Sequence, residues 1–347
     1  MKSKRLLGLL LLPAAASLCL AGCGGSSETA AREYSKGIFA MGTYMELTAY
    51  GEQAESVLDE AENRIREWEA LWSTTDEDSE IYAANHSQGR TVPLSSETEE
   101  LLQFALKMAR QTGGALDPTI YPLVNAWGFI SQEYRVPSQR EIGELLALTG
   151  YEKVKVENHG VTLPEGMQLD LGAVGKGYAG ELLADYFKEE GISSALLNIG
   201  GNIQMVGSRP DGTKWRIGIR NPFGEGSFGV LESEDTAVVT SGGYERYFTD
   251  EDGTVYWHIL DPDTGRPAQS GLASATIIAD SGRMADALST SIFVMGLEEG
   301  SEYWKNHGEF DMLLVTQDGE IYLTEGIEDS FTLEDAFSDR EMHVIRK

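Results

Sequence analysis

Cysteine is nearly absent from this chain: its 347 residues include only two, Cys19 and Cys23. Past residue 23 there is no thiol, which excludes a disulfide framework and a thiolate metal site from the body of the protein. Positive charge is scarce as well. Lys and Arg total 27 against 56 Asp and Glu, a formal net charge of −29. A surface this acidic excludes nucleic-acid binding through a basic face. It serves solubility, and an anionic ligand would need a metal ion or a local cluster of cations. The apolar stretch from Leu6 to Leu20 has 15 residues, short of the ~20 that a comfortable membrane span requires. No Gly-x-x-x-x-Gly-Lys-Ser/Thr is present, and no Gly-x-Gly-x-x-Gly is read as following a strand, so neither a P-loop nor a Rossmann site is expected.

What is present begins with a processing signal. Lys2, Lys4 and Arg5 precede the apolar stretch, as in a signal peptide, and Leu20-Ala21-Gly22-Cys23 resembles a bacterial lipobox. The alternative is an ordinary signal peptide with a chance cysteine. The lipobox implies cleavage before Cys23 and a diacylglyceryl group on its sulfur, with residues 1–22 removed. Residues 23–36, small and polar at their start, then form a flexible tether, and 37–347 the folded domain. An extracytoplasmic protein, lipid-anchored to the bacterial cell membrane, is the expectation.

Along the body, helical spacing of apolar residues predicts helices over Glu52–Trp72, Glu97–Gln111, Ser138–Leu148, Lys176–Glu190 and Met284–Met295. Short β-branched runs between Gly, Asn and Asp turns predict strands over Ala195–Ile199, Ile203–Val206, Trp215–Arg220, Ala237–Thr240, Val255–Leu260 and Ser274–Ala279. Met312–Thr316 and Ile321–Thr324 form an expected hairpin around Asp318-Gly319. The pattern indicates an α+β fold with mixed, largely antiparallel sheets and packed helices.

Five clusters place Gly or polar residues where a plain core element would not. They are Met41-Gly42-Thr43, then Gly113 to Thr119 leading into Tyr121–Gly128, Leu169 to Tyr178, Asn198 to Asn202, and Tyr256 to Pro262 with Thr264-Gly265 and Ala285 to Thr290. The third reads as a strand end, a Gly-rich turn and a helix start, with backbone N–H groups and Lys176 available to phosphate; a purely structural turn is the alternative. Asp286 and Thr290, four apart on a helix, share a face and offer hard oxygens to a cation such as Mg²⁺; an Asp favoured by the helix dipole is the alternative. His258 is either a base or an ordinary strand histidine. The Asn198–Asn202 turn is compatible with a structural or a ligand-touching role.

In order and spacing the five clusters, above all Asp-Leu-Gly-Ala-Val-Gly-Lys-Gly-Tyr and Ala-Asp-Ala-Leu-Ser-Thr, resemble the ApbE family of FAD:protein FMN transferases from about Gly37 to the C-terminus. The resemblance implies a T-fold-related domain, FAD as substrate and Mg²⁺ as cofactor. Met41, Ala115, Leu116, Asp117, Asp170, Lys176 and Leu260 would contact FAD. The carbonyl of Ala173 and the side chains of Asp286 and Thr290 would hold Mg²⁺, and His258 matches a proposed base. FMN would pass to a Thr or Ser hydroxyl of an acceptor flavoprotein, such as a subunit of a sodium-pumping NADH:quinone reductase or an Rnf-type complex, with AMP released. Thr75 occupies a position where the family often carries a flavin-stacking aromatic, which leaves hydrolysis of FAD to FMN and AMP as an alternative. A non-catalytic FAD-binding lipoprotein is a third reading.

Overall fold

Residues 32–347 are described in this computed structural model; the predicted signal peptide, Cys23 and most of the tether lie outside them. A nine-stranded sheet organises the chain. Its order is Glu33–Ala40, Thr43–Tyr50, Ala195–Ile199, Asn202–Val206, Ala237–Gly242, Leu272–Ala279, Asp311–Thr316, Ile321–Thr324 and Met342–Ile345. All neighbours are antiparallel except the last pair.

Both faces of the sheet are covered, which explains the unbroken apolar runs in its central strands. Successive side chains point to opposite faces. Val239, Ile277, Met312 and Leu314 join the larger core, under the helices. Their neighbours Val238, Ile278, Leu313 and Val315 join a second core with Trp215, Ile217 and Phe228. That second core lies under a small sheet of Trp215–Arg220, Ser227–Ser233 and Phe331–Leu333.

The helices are α1 (Ala54–Trp72), α2 (Glu80–Asn85), α3 (Ser96–Gln111), α4 (Tyr121–Ala126), α5 (Gln139–Leu146), α6 (Gly175–Glu189) and α7 (Gly282–His307). Among the described residues none is long and apolar enough to cross a membrane. Ser95 and Ser138 cap α3 and α5, each accepting the N–H three residues on.

Several elements depart from the sequence reading. The first strand starts at Glu33, so the end of the expected tether, residues 33–36, pairs with Leu47 to Tyr50 inside the sheet. The helix expected over Met284–Met295 runs on to His307 through a break at Gly296, where φ is 82°. The strand expected over Val255–Leu260 is two strands. Val255–Trp257 pairs with Tyr247–Thr249, and Leu260–Asp261 pairs with Arg266–Pro267. His258 falls between them, out of any strand, because the chain leaves one partner there and turns to the next.

Candidate functional site

The centre of the site is the crossing of α6 and α7, and glycine decides how close they come. A Cβ on Gly177 would sit 2.2 Å from the carbonyl oxygen of Gly282 and 2.5 Å from Cβ of Asp286. A Cβ on Gly282 would sit 2.6 Å from the Gly177 oxygen. None of the three distances is tolerable, so the two bare backbones let the helices touch. At that contact each helix caps the other. Asp286 of α7 accepts the Gly177 N–H of α6 through Oδ2 at 2.8 Å. Glu181 of α6 accepts the Arg283 N–H of α7 at 3.2 Å and the Ser281 hydroxyl at 2.6 Å. Each carboxylate thus satisfies amides that a helix start leaves without partners, at the positive end of the dipole.

This capping frees oxygens on one side. The Gly177 amide, given to Asp286, does not reach back to the carbonyl of Ala173. Among the described residues that carbonyl accepts no backbone hydrogen bond, and Oδ1 of the buried Asp286 has no partner. Thr290, half-buried one turn along α7, has its hydroxyl 3.3 Å from Ser241 Oγ, which also lies 2.8 Å from Ser289 Oγ. The Ala173 carbonyl, the Asp286 carboxylate and the Thr290 hydroxyl are hard oxygens with spare lone pairs, a set that fits Mg²⁺ completed by water or phosphate. Among the described residues no three His, Cys, Asp or Glu side chains gather as a metal cage, and this set, with one carboxylate, is of another kind.

Leu169 to Val174 lead into α6 as an irregular turn clamped from both sides. Asn85 of α2 accepts the Leu169 N–H at 2.6 Å and donates to its carbonyl at 2.9 Å. The Asp170 N–H donates to the Pro118 carbonyl at 2.7 Å, joining this turn to the Ala115–Thr119 segment. Within that segment Asp117 spends its carboxylate on the Thr119 N–H and hydroxyl and on the Tyr151 N–H. Burial lifts both the Asp117 and the Asp170 carboxyls above the usual range; hydrogen bonds oppose the shift in both, and the Lys176 and Arg246 cations oppose it at Asp170. Gly175, Gly177 and Gly180 do carry the Gly-x-Gly-x-x-Gly spacing, but they lie on α6 after a turn, not after a strand of a parallel sheet.

His258 is held from behind. Its backbone N–H and its ring Nδ1 both meet the Arg246 carbonyl, at 3.0 and 3.3 Å. A carbonyl only accepts, so Nδ1 carries the proton and Nε2 keeps its lone pair. Among the described residues Nε2 has no partner. Burial, with the Arg246 and Lys176 cations in support, pushes His258 down to about 4. The imidazole is therefore neutral at neutral pH. Lys176, half-buried in the first turn of α6, donates to the Gly172 carbonyl at 3.2 Å.

Met41 occupies the tip of the first hairpin. Met41 and Gly42 have φ of 51° and 69°, the left-handed pair that a two-residue type I′ turn needs. A non-glycine residue rarely sits there, and here its N–H is held by Glu69 at 2.6 Å. The Asn198–Asn202 turn lies beside it, since a Cβ on Gly200 would strike the Thr43 side chain at 2.3 Å. Gly200 lets the two hairpin tips pack together.

Ala173, Lys176, Asp286 and Thr290 thus lie at or beside the α6–α7 junction, with Asp170 in the turn that leads into α6. Arg246 joins His258, held on its carbonyl, to the Met41-Gly42 turn, where its Nη2 lies 3.7 Å from the place of a Gly42 Cβ. Ala115 and the buried Leu116 belong to the segment tied to Asp170. Leu260 is 5% exposed and packs with Leu123, Trp127, Phe129 and Ile142, so its side chain supports the His258 segment from the core. Thr75 is exposed between α1 and α2 with its hydroxyl 3.3 Å from Ser73; among the described residues no hydrogen bond joins it to the others. Sequence reasoning missed Arg246, Ser241, Glu181 and the Gly177–Gly282 contact. The Ser241-Gly242-Gly243 run closing an apolar strand was the one legible signal.

Comparison with known proteins places these features in a family. The model of the ApbE family matches residues 41–314. The FAD:protein FMN transferase of Vibrio cholerae is 34% identical over 275 residues, 77% of this chain and 81% of that protein. The FAD:protein FMN transferase of Treponema pallidum is 32% identical over 343 residues, covering 92% and 94%. Among solved structures, the ApbE protein of Thermotoga maritima superposes with a TM-score of 0.81 at 32% identity, over 86% of this chain and 99% of that one. The flavin transferase ApbE of Vibrio cholerae gives 0.78 at 30% identity, over 86% and 99%.

Proposed function

The chain belongs to the ApbE family and is a flavin transferase, and on that premise we propose that it moves FMN from FAD to a Thr or Ser hydroxyl of an acceptor flavoprotein, releasing AMP. The observation that carries this reading is His258: a neutral imidazole with an unpartnered Nε2, its Nδ1 fixed on a carbonyl, beside two cations. A hydroxyl is a weak nucleophile and needs a base within hydrogen-bond reach; a protein that only bound FAD would need none.

In this reaction His258 Nε2 takes the proton of the acceptor hydroxyl as its oxygen attacks the phosphorus of the FMN half. The bond from that phosphorus to the bridging oxygen breaks, and AMP departs with that oxygen. A phosphoester forms on the acceptor, and the proton passes from His258 to the AMP phosphate or to solvent. Lys176, whose backbone N–H is also without a partner among the described residues, draws the phosphate charge to the start of α6. Mg²⁺, held by the Ala173 carbonyl, Asp286 and Thr290, would supply charge neutralisation on the pyrophosphate. The enzyme would work outside the cytoplasm, anchored through lipid on Cys23, next to membrane-bound acceptors such as subunits of sodium-pumping NADH:quinone reductase or Rnf-type complexes.

The test uses protein lacking residues 1–23, FAD and Mg²⁺, with and without a peptide bearing the acceptor Thr. Mass spectrometry of the peptide is expected to show a gain of FMN less water, abolished by EDTA. Free FMN and AMP beside an unmodified peptide would establish hydrolysis instead. Attention would then turn to Thr75, where no aromatic ring is present to cover the flavin.

A further inference from the structure

The Arg246 guanidinium has no assigned task. It follows the strand Ala237–Gly242 through the Ser241-Gly242-Gly243 turn and opens the hairpin that returns at Val255–Trp257. Its neighbour Glu245 pairs with Arg220 at 3.0 Å, on the opposite side of the chain. Among the described residues the exposed Arg246 side chain itself makes no ion pair or hydrogen bond. In a chain with 56 acidic residues and 27 basic ones, an arginine beside its own glutamate would ordinarily be paired. This one is not.

Its position explains why. The guanidinium reaches the tip of the first hairpin, where Nη2 lies 3.7 Å from the point a Cβ on Gly42 would occupy. The Arg246 carbonyl holds both the backbone N–H and the ring of His258. One residue therefore orients the base with its backbone and projects a cation along the face between His258 and the Met41-Gly42 turn. Its charge reaches Asp170 as well, with Lys176 approaching from the start of α6. Two cations on separate elements thus both bear on Asp170 and on His258. Gly42 matters here because a side chain at that position would occupy the space beside Nη2.

We infer that Arg246 is a substrate-binding residue whose guanidinium grips the pyrophosphate of FAD beside His258. Arginine offers planar paired N–H donors that match two phosphate oxygens at once, which a lysine cannot reproduce. Held there, it keeps the phosphorus under attack next to the base and offsets the charge that builds on its oxygens as the bond to AMP breaks. The inference rests on FAD being the substrate, and it adds a second cation, from a separate element, to Lys176.

The experiment compares the full chain with R246Q and R246K in the presence of Mg²⁺. FAD affinity is read from flavin fluorescence quenching, and kcat and KM from FMN transfer to the acceptor. Because the side chain has no partner to lose, both variants are expected to melt with the unaltered protein. R246Q is expected to weaken FAD binding at least tenfold and lower kcat/KM at least a hundredfold, and R246K to recover part of each. The rise of KM for FAD with NaCl is expected to flatten in R246Q, a change that a merely structural residue would not produce. Binding and kcat/KM of R246Q within twofold of the unaltered protein would overturn the inference while leaving the transferase reading intact. If the unaltered protein binds FAD but transfers nothing, the binding comparison alone decides; if it binds no FAD, both readings fall.

Discussion

Replacing His258 with Asn is expected to cut FMN transfer by about a hundred- to ten-thousand-fold, with FAD affinity changed by no more than a few-fold. The reason is local. Asn has no lone pair basic enough to take the hydroxyl proton, while the phosphate contacts come from other elements, α6 and the Arg246 hairpin. The pH dependence of the unaltered enzyme provides a second check. Burial, helped by Arg246 and Lys176, holds the free-enzyme imidazole at about 4, below the ordinary 6.5. The base is then already unprotonated at pH 6, and kcat/KM, which reports the free enzyme, is expected to stay flat down to about pH 5 and fall only as pH drops through 4. An acid limb centred near 6.5 would mean that the imidazole is solvated, and would remove the explanation given for its readiness. Stability follows the same sign. Unfolding lets His258 bind a proton that the folded state refuses, so its contribution is present above pH 6.5 and is lost as pH falls from there through about 4.

Adding a single methyl group at Gly177 is expected to do comparable damage from a residue that touches no substrate. In Gly177→Ala the new Cβ would meet a backbone oxygen of α7 at 2.2 Å, which no rotamer change can relieve. The helix gains about 1 kcal/mol in propensity, but overpacking costs about 1–3 kcal/mol and at times more, so the variant is expected to lose stability and melt a few degrees lower. The larger effect is on chemistry. Separating α6 from α7 pulls Asp286 off the Gly177 amide and away from Ala173 and Thr290. A shift of about 1 Å in a positioning group can cost about a hundredfold in rate, and a loss of that order is expected in transfer. The control is Gly143→Ala in α5, where nothing lies within 4 Å of the added carbon; there the propensity gain stands alone, and the variant is expected to melt at or above the parent temperature. Equal behaviour of the two would show that the glycine contact does not set the geometry.

The residues that announced the site in the sequence were those whose chemistry is local. A Gly-rich helix start with a lysine, and an aspartate and threonine four apart, are visible along a single segment. What the sequence did not show depends on contacts between distant segments. Gly177 and Gly282 look like ordinary helix-start glycines until the two backbones are seen pressed together. Asp286 reads as a ligand or as a cap, and it caps a helix other than its own. Arg246 sat in a hairpin with Tyr, Glu and Asp neighbours, a pattern typical of solvent-facing strand.

In the fold, the central strands were legible because burial on both faces leaves unbroken apolar runs. The first hairpin was less so. Its signal was present, with Ile38 and Ala40 alternating against Met45, Leu47 and Ala49, all buried, but it adjoins a polar stretch that reads as linker. The split at His258 was hidden for another reason. Val255 to Leu260 is continuous in β propensity, and only the change of partner, from Tyr247–Thr249 to Arg266–Pro267, breaks it.

The central claim is that FAD is cut so that one half is passed on. The most direct measurement is to count, in one reaction with acceptor protein, FAD and Mg²⁺, the AMP released and the FMN bound covalently to the acceptor. Equal amounts, rising together and both lost in H258N, are the expected result. AMP accumulating with free FMN while the acceptor stays unmodified, or flavin bound to the acceptor without AMP release, would contradict it.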